Sequence, residues 1–407
     1  MPTIMFLLHC LVALNLFGAA LAGAVHTTLV RKVRNFSFVY FGWSLAGQVL
    51  ALPLLLTTVI SLYVAQFGPR PSLLITVVNI VTIAFCVIIL LRAWRGSLKL
   101  SKVVRKERGG VFGRFLLGAL FPFRLRRRGV TRLKNIAYGP KGRRNLLDIY
   151  APKATRSSLM PVLMTVHGGG WVIGRKGMQS QPLIQYMASQ GWLVVDINYR
   201  LGPRTRMPAM IQDVLRAVMW VKSNIKDYNG DPDFVALSGG SAGGHLVALA
   251  ALASDVQAFK PGFETADCSI DACVPVYGLY DLLNENGAMR GGFEELQKFM
   301  AMLVMPGPPN THKDAWEQVS PINHIGPHAP PMLFLHGRHD ALADFESARS
   351  FAQSLKRVSN NAVIFADVPG GQHGYDFAHA PPTPEHVRAV HRFLEEIRSG
   401  EVLVKKS

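Results

Sequence analysis

Residues 234–252 read FVALSGGSAGGHLVALAAL: a short apolar run, a glycine-rich turn around Ser241, and an alanine-rich run of helical character. The turn holds Gly239, Gly240, Ser241, Ala242 and Gly243, a G-x-S-x-G pattern in the strand-turn-helix context that the pattern requires. Glycines permit a turn that side chains would obstruct, so Ser241 is expected to be thrust forward at the helix start. There the amide of Ala242 would face developing negative charge. Glycine turns also bind phosphate, but the chain has no G-x-x-x-x-G-K-[ST], and no G-x-G-x-x-G with a distal acid on a first strand.

Outward from this turn the pattern repeats. Upstream, Leu146–Tyr150, Val162–Val166 and Trp192–Ile197 read as strands, and 208–225 as a helix whose Met210, Val214, Val218 and Val221 share a face. Downstream, residues 279–328 are rich in Pro, Asn, His, Met and Gly, with one helix expected over Phe293–Val304; so long an excursion reads as an inserted cap. The rhythm then resumes with a strand at Met332–Leu335, a helix at Phe345–Leu355, a strand at Val363–Val368 and a closing helix at Pro384–Ile397. Alternation of this size predicts an α/β fold, a mostly parallel sheet with helices on both faces.

A second glycine cluster, His167-Gly168-Gly169-Gly170-Trp171, follows the strand that ends at Val166. Gly169 and Gly170 would supply the other amides of an oxyanion hole completed by Ala242, with His167 orienting the loop. A nucleophilic serine needs a base and an orienting acid in the chain order Ser, acid, His. Asp340 in HGRHD and His373 in GGQHGYD both follow strands, at ends expected to meet Ser241 on one rim of the sheet. The rivals are His339 or His336 for the base and Asp344 or Asp376 for the acid, although Asp344 suits the cap of the helix beginning near Phe345. Such a set attacks an acyl carbon, forms an acyl-enzyme and releases it with water, and needs no cofactor. No H-E-x-x-H is present and the 13 histidines are dispersed, so no metal site is expected.

Charge separates the rest of the chain from this region. Residues 1–91 hold no acid and only Arg31, Lys32, Arg34 and Arg70, whereas 92–144 hold seventeen bases against Glu107 alone. Of the chain's 44 bases and 26 acids, 23 and 25 remain for residues 145–407, so the formal +18 belongs to the N-terminal third. Bases that follow directly on apolar runs suit a membrane boundary better than a nucleic-acid face. The apolar runs are Ile4–Val25, Phe38–Phe67 and Ser72–Leu91, each near the roughly 20 residues that cross a bilayer. A cleaved signal peptide fits the first poorly, since no base precedes it. If all three span, the clusters at 31–34 and after 91 share the cytoplasmic side, with the catalytic region there and the N-terminus outside; if two span, only the tip moves. Val111–Arg128, VFGRFLLGALFPFRLRRR, reads as an interfacial segment or as a basic helix over the active-site mouth. Four scattered cysteines imply buried thiols, and Cys268 and Cys273 flank an expected strand. The domains expected are a membrane region over 1–95, a basic linker over 96–134, a catalytic domain over 135–398 with cap 279–328, and a polar tail over 399–407.

Over roughly 135–398, the motifs HGGGW, DINYRL from Asp196, Pro208–Asp213, GGSAGGH, HGRHD and the His373 loop resemble the hormone-sensitive-lipase-like and carbohydrate-esterase-like branches of the α/β-hydrolase superfamily. The resemblance implies esterase or lipase activity on small to medium acyl or lipid esters, a two-part cap, and a bracing role for Asp213. With the apolar N-terminus it also looks like membrane-associated bacterial esterases and the methylesterases of prenylated cysteine. Gly240 before Ser241, where many hormone-sensitive-lipase-like members carry Asp, and His245 after the glycines, where they carry Asn, shift the likeness toward the second branch, whose substrates include amides, formamides and acetyl sugars. A catalytically dead membrane scaffold is the reading from another class, and the intact Ser241, Asp340 and His373 argue against it. The partners expected are an acyl-ester substrate and membrane lipid.

Overall fold

The computed structural model describes residues 17, 18, 21, 37–64, 73–103, 110–123, 128–154, 158–289 and 292–400. The first apolar run lies almost wholly outside them, as do Arg31, Lys32, Arg34, Arg70, Cys10, most of the Val111–Arg128 arginines and the end of the polar tail.

The chain divides into two compact units. One comprises the described part of Met1–Arg124 with Gly337–Leu342 and Asp367–His386; the other comprises Leu125–His336, Ala343–Ala366 and Val387–Ser407. In the first, helix α1 (Ser37–Val64) and helix α2 (Leu73–Leu100) match the second and third apolar runs. Ala51 packs with Ile89 and Leu54 with Cys86, a falling register that makes the pair an antiparallel hairpin. Pro53 sits inside α1. Outward-facing Ile60, Leu73, Leu74 and Ile80 are all more than half exposed, and Thr76–Leu100 is long and apolar enough to cross a membrane by length and composition. Helix α3 (Val111–Leu120) follows, with Phe112, Leu116 and Leu117 exposed and Gly118 and Ala119 buried.

The second unit is built around an eight-stranded sheet. Its strands are β1 (Val130–Ala137), β2 (Leu146–Pro152), β3 (Met160–Val166), β4 (Leu193–Ile197), β5 (Gly230–Gly240), β6 (Ala272–Val276), β7 (Met332–Gly337) and β8 (Val363–Val368). The order is β1-β2-β4-β3-β5-β6-β7-β8; β1 and β2 pair antiparallel, β2 joins β4 antiparallel, and the β4-β3-β5-β6-β7 run is parallel. Strands β3 and β4 are apolar and buried almost throughout, because helices cover both faces. Helix α4 (Gln181–Ser189) fills the β3-to-β4 crossover, and helix α5 (Ala209–Asn224) follows β4. Met210, Val214, Val218 and Val221 of α5 are fully buried, each adding about 1.5–3 kcal/mol through burial. Helix α6 (Ala242–Leu252) is buried all round, so apolarity without a stripe suits it.

Residues 279–328 stand between β6 and β7 and carry helix α7 (Phe293–Leu303) and helix α8 (Lys313–Gln318). Helix α9 (Phe345–Val358) and helix α10 (Thr383–Arg398) complete the series.

Several expectations change. Strand β1 crosses the expected boundary at residue 134; as a sheet edge it is largely exposed and carries Arg132 and Lys134, so it shows no apolar alternation. Cys273 lies inside β6 rather than beside it, and Cys86, Cys268 and Cys273 are buried free thiols. Helix α4 gave no signal strong enough to name.

Candidate active site

Strand β5 ends at Gly240 and helix α6 begins at Ala242, so the turn between them is a single residue, Ser241. Its backbone sits at φ 58 and ψ −122, a conformation non-glycine residues avoid, and Ser241 N donates to Val276 O at 3.0 Å. A Cβ on Gly243 would stand 2.0 Å from Val166 O, which is why that side of the turn cannot carry a side chain. At Gly240 it would stand 2.7 Å from the Tyr277 hydroxyl, so the aspartate of the first branch would require Tyr277 to move.

The HGGGW loop lies against this turn: a Cβ on Gly168 would be 3.0 Å from Ser241 Cβ. Gly169 and Gly170 take φ +112 and +57, and a Cβ on Gly169 would collide with Ile173 O at 2.2 Å. Gly168 N donates to Gln179 Oε1 at 2.6 Å. His167 stacks on Tyr199 at 4.4 Å, its Nδ1 is 2.8 Å from Gly168 O, and the Tyr199 hydroxyl donates to His167 O at 2.9 Å. Burial pushes the His167 imidazole down to about 4, so near neutrality it carries no extra proton. Arg200, from the same DINYRL stretch as Tyr199, gives its backbone N–H and Nε to Asp213 Oδ2 and its Nη2 to Oδ1, each at 2.8 Å. Asp213 thus braces the loop after β4.

His245 carried no role in the sequence beyond its departure from a motif. It is fully buried in α6; Nδ1 accepts from Trp171 Nε1 at 3.2 Å, so Nε2 bears the hydrogen donated to Val319 O at 2.7 Å. This neutral tautomer ties the glycine loop to the stretch between β6 and β7, and burial holds its pKa down at about 4. From that stretch, Phe299 of α7 would touch a Cβ on Gly170 at 3.3 Å. Met300 and Met305 are fully buried core residues, whereas Met302 is 67% exposed, so the methionines do not form one apolar surface.

The acid and base expected from the sequence belong to the other unit. His373 Nδ1 lies 2.8 Å from Asp340 Oδ2, with the Asp340 side chain fully buried. A carboxylate can only accept, so Nδ1 carries the hydrogen and Nε2 of the neutral ring keeps its lone pair. Asp340 Oδ1 accepts from Leu342 N at 2.9 Å. Gln372, unnoticed in the sequence, links the two loops: its Oε1 accepts from Ala341 N at 2.6 Å and from His373 N at 3.2 Å. His339 serves the same purpose through its backbone, donating to Gly371 O at 2.9 Å. Asp344 caps α9 by accepting from Ser347 N, as expected, and His336 Nε2 faces Ala343 O at 3.2 Å. Among the described residues, no group of three or more His, Cys, Asp or Glu is arranged to hold a metal ion.

The strand order, with its antiparallel pair at one edge and a strained serine closing β5, defines the α/β-hydrolase class. More narrowly, the chain belongs to the BD-FAE family, whose model matches residues 147–355. Over 264 residues it is 41% identical to the probable carboxylic ester hydrolase LipM of Mycobacterium tuberculosis, covering 65% of this chain and 61% of LipM. It is 35% identical to esterase LipC of the same organism over 283 residues, 69% of each chain. The chain thus spans about three fifths of LipM. Among solved structures, a truncated carbohydrate esterase from gut microbiota shares the fold at a TM-score of 0.56 and 24% identity, covering 66% of this chain and 96% of that one.

Proposed function

We propose that this chain is a membrane-held serine hydrolase that cleaves carboxylic esters of small to medium acyl groups, lipid esters among them. The observation that carries the reading is the bond from His373 Nδ1–H to Asp340, because it leaves Nε2 basic. In the proposed reaction Nε2 takes the proton of Ser241 as Oγ attacks the ester carbon, and the ester C–O bond breaks as the same proton passes to the leaving alcohol. The oxyanion of each tetrahedral intermediate accepts hydrogen bonds from the amides of Gly169, Gly170 and Ala242; Ala242, first in its helix, has no N–H partner within that helix. Water, losing its proton to Nε2, then releases the acid and restores Ser241. The names of both mycobacterial relatives support the ester bond as target.

The α1–α2 hairpin and the base-rich segment after it support a membrane anchor with the catalytic region on the cytoplasmic side. Exposed Phe112, Leu116, Leu117, Phe121 and Phe123 support an interfacial seat for α3 and the residues after it, with substrate drawn from the bilayer.

Hydrolysis of a graded series of chromogenic acyl esters and matched amides, by the membrane-inserted protein and by Ser241→Ala, tests the proposal. Turnover is expected to fall about a thousandfold or more in the variant, with a preferred chain length and little amide cleavage in the parent. Equal rates in the two proteins would refute it.

A further inference from the structure

In an apolar helix a polar side chain ordinarily satisfies itself locally, and α1 shows this: Thr57 and Thr58 each donate to the carbonyl four residues back, at 2.8 Å. Gln48, on the same helix, does something else. Its Oε1 accepts from Gln372 N at 3.1 Å, and its Nε2 donates to Gly370 O, across more than 320 residues of sequence. Both ends of the amide are therefore spent on the turn immediately before His373. Gln372 is the residue whose own side chain holds the amides of Ala341 and His373, so Gln48 fixes the backbone of the residue that locks the acid loop to the base loop.

Helix α2 reaches the same turn. A Cβ on Gly370, which takes φ +74, would lie 2.7 Å from Arg92 Cβ, and a Cβ on Gly96 would lie 3.0 Å from Pro369 O. Lys99 forms an ion pair with Asp367, which also pairs with Arg338 beside the acid loop. The turn from Asp367 to Gln372 is thus held by three positions of α2 and by one amide of α1.

We infer that Gln48 is a positioning residue for His373: the apolar hairpin is a working part of the hydrolytic site, holding the base in register with its acid, as well as an anchor. This rests on the reading of Ser241, Asp340 and His373 given above. Its physical basis is that a general base must sit within a few tenths of an ångström of its productive position, and a misplacement near 1 Å costs about a hundredfold. A loop closed only by its own turn has more freedom than one bonded at two consecutive peptide units to a helix.

The test uses the full chain in lipid nanodiscs and one soluble chromogenic ester. Gln48→Met keeps the length and removes both hydrogen bonds; Gln48→Glu keeps the acceptor for Gln372 N; Leu56→Met, at a half-exposed position about two turns further along α1, is the control. The expectation for Gln48→Met is a kcat lower by about ten- to a hundredfold with KM within about twofold of the parent, and a thermal midpoint equal to that of Leu56→Met. Gln48→Glu should fall between parent and Gln48→Met. An unchanged kcat in both Gln48 variants would overturn the inference, as would a loss shared equally by Leu56→Met. Turnover surviving in Ser241→Ala would overturn the underlying reading instead, whatever Gln48→Met does.

Discussion

His167 and His373 both follow a strand and both sit beside glycines, yet their surroundings differ. His167 is stacked and buried, with Nδ1 turned to its own loop. His373 gives Nδ1–H to a buried carboxylate, and in the proposed reaction Nε2 moves the proton. His167→Phe retains the stack on Tyr199 and loses one hydrogen bond, so kcat is expected to fall by about tenfold, the worth of one such bond, whereas His373→Ala should match the loss in Ser241→Ala. Steady-state rates on a single ester decide between the two; equal losses in both histidine variants would make His167 a proton carrier. The places of Ser241 and the glycines in their turns were legible from residue identity, because so strained a turn admits few residue types. Those of Gln372 and Gln48 were not, since a glutamine at a loop or within an apolar run has no motif, and its partners are far away in sequence.

At the scale of elements, His245 links three of them: α6, the glycine loop through Trp171, and the stretch between β6 and β7 through Val319. Removing the ring leaves a buried indole N–H and a buried carbonyl without these partners. His245→Ala is therefore expected to destabilise the chain by about 1–3 kcal/mol, read as a lower urea midpoint, and to weaken activity through Trp171. An unchanged midpoint would show that water replaces the ring. The parallel strands and α5 were readable because burial on both faces and a period of 3.6 leave strong patterns. Strand β1 was hidden by its exposure.

For the whole molecule, buried titratable groups set the response to acid. The His167 and His245 imidazoles, held by burial at about 4 against an ordinary 6.5, stabilise the fold fully above 6.5 and lose that contribution as pH falls toward 4. Burial lowers His386 in the same direction. Asp196, raised by burial to about 7 against 3.8, works oppositely: its ionisation costs stability, which returns as pH falls from 7 toward 4. His391 is lowered by burial as well and Asp271 raised by it, so four histidines oppose two aspartates; the unfolding midpoint should drop between pH 7 and 5, and drop more steeply in Asp196→Asn. A midpoint that rises with acid over that range would contradict this balance.

The sequence by itself determined the fold class, the strained turn at Ser241, the glycine loop and the acid and base candidates, because each is a local backbone demand or a period set by neighbouring residues. It also marked the apolar hairpin, through length and the absence of acids. Only the tertiary structure decided which carboxylate meets the His373 ring, that His245 and Gln372 tie loops together, and that Gln48 of the hairpin holds the turn before His373. Those choices depend on hydrogen bonds between residues tens to hundreds of positions apart, and such bonds leave no period or composition to read.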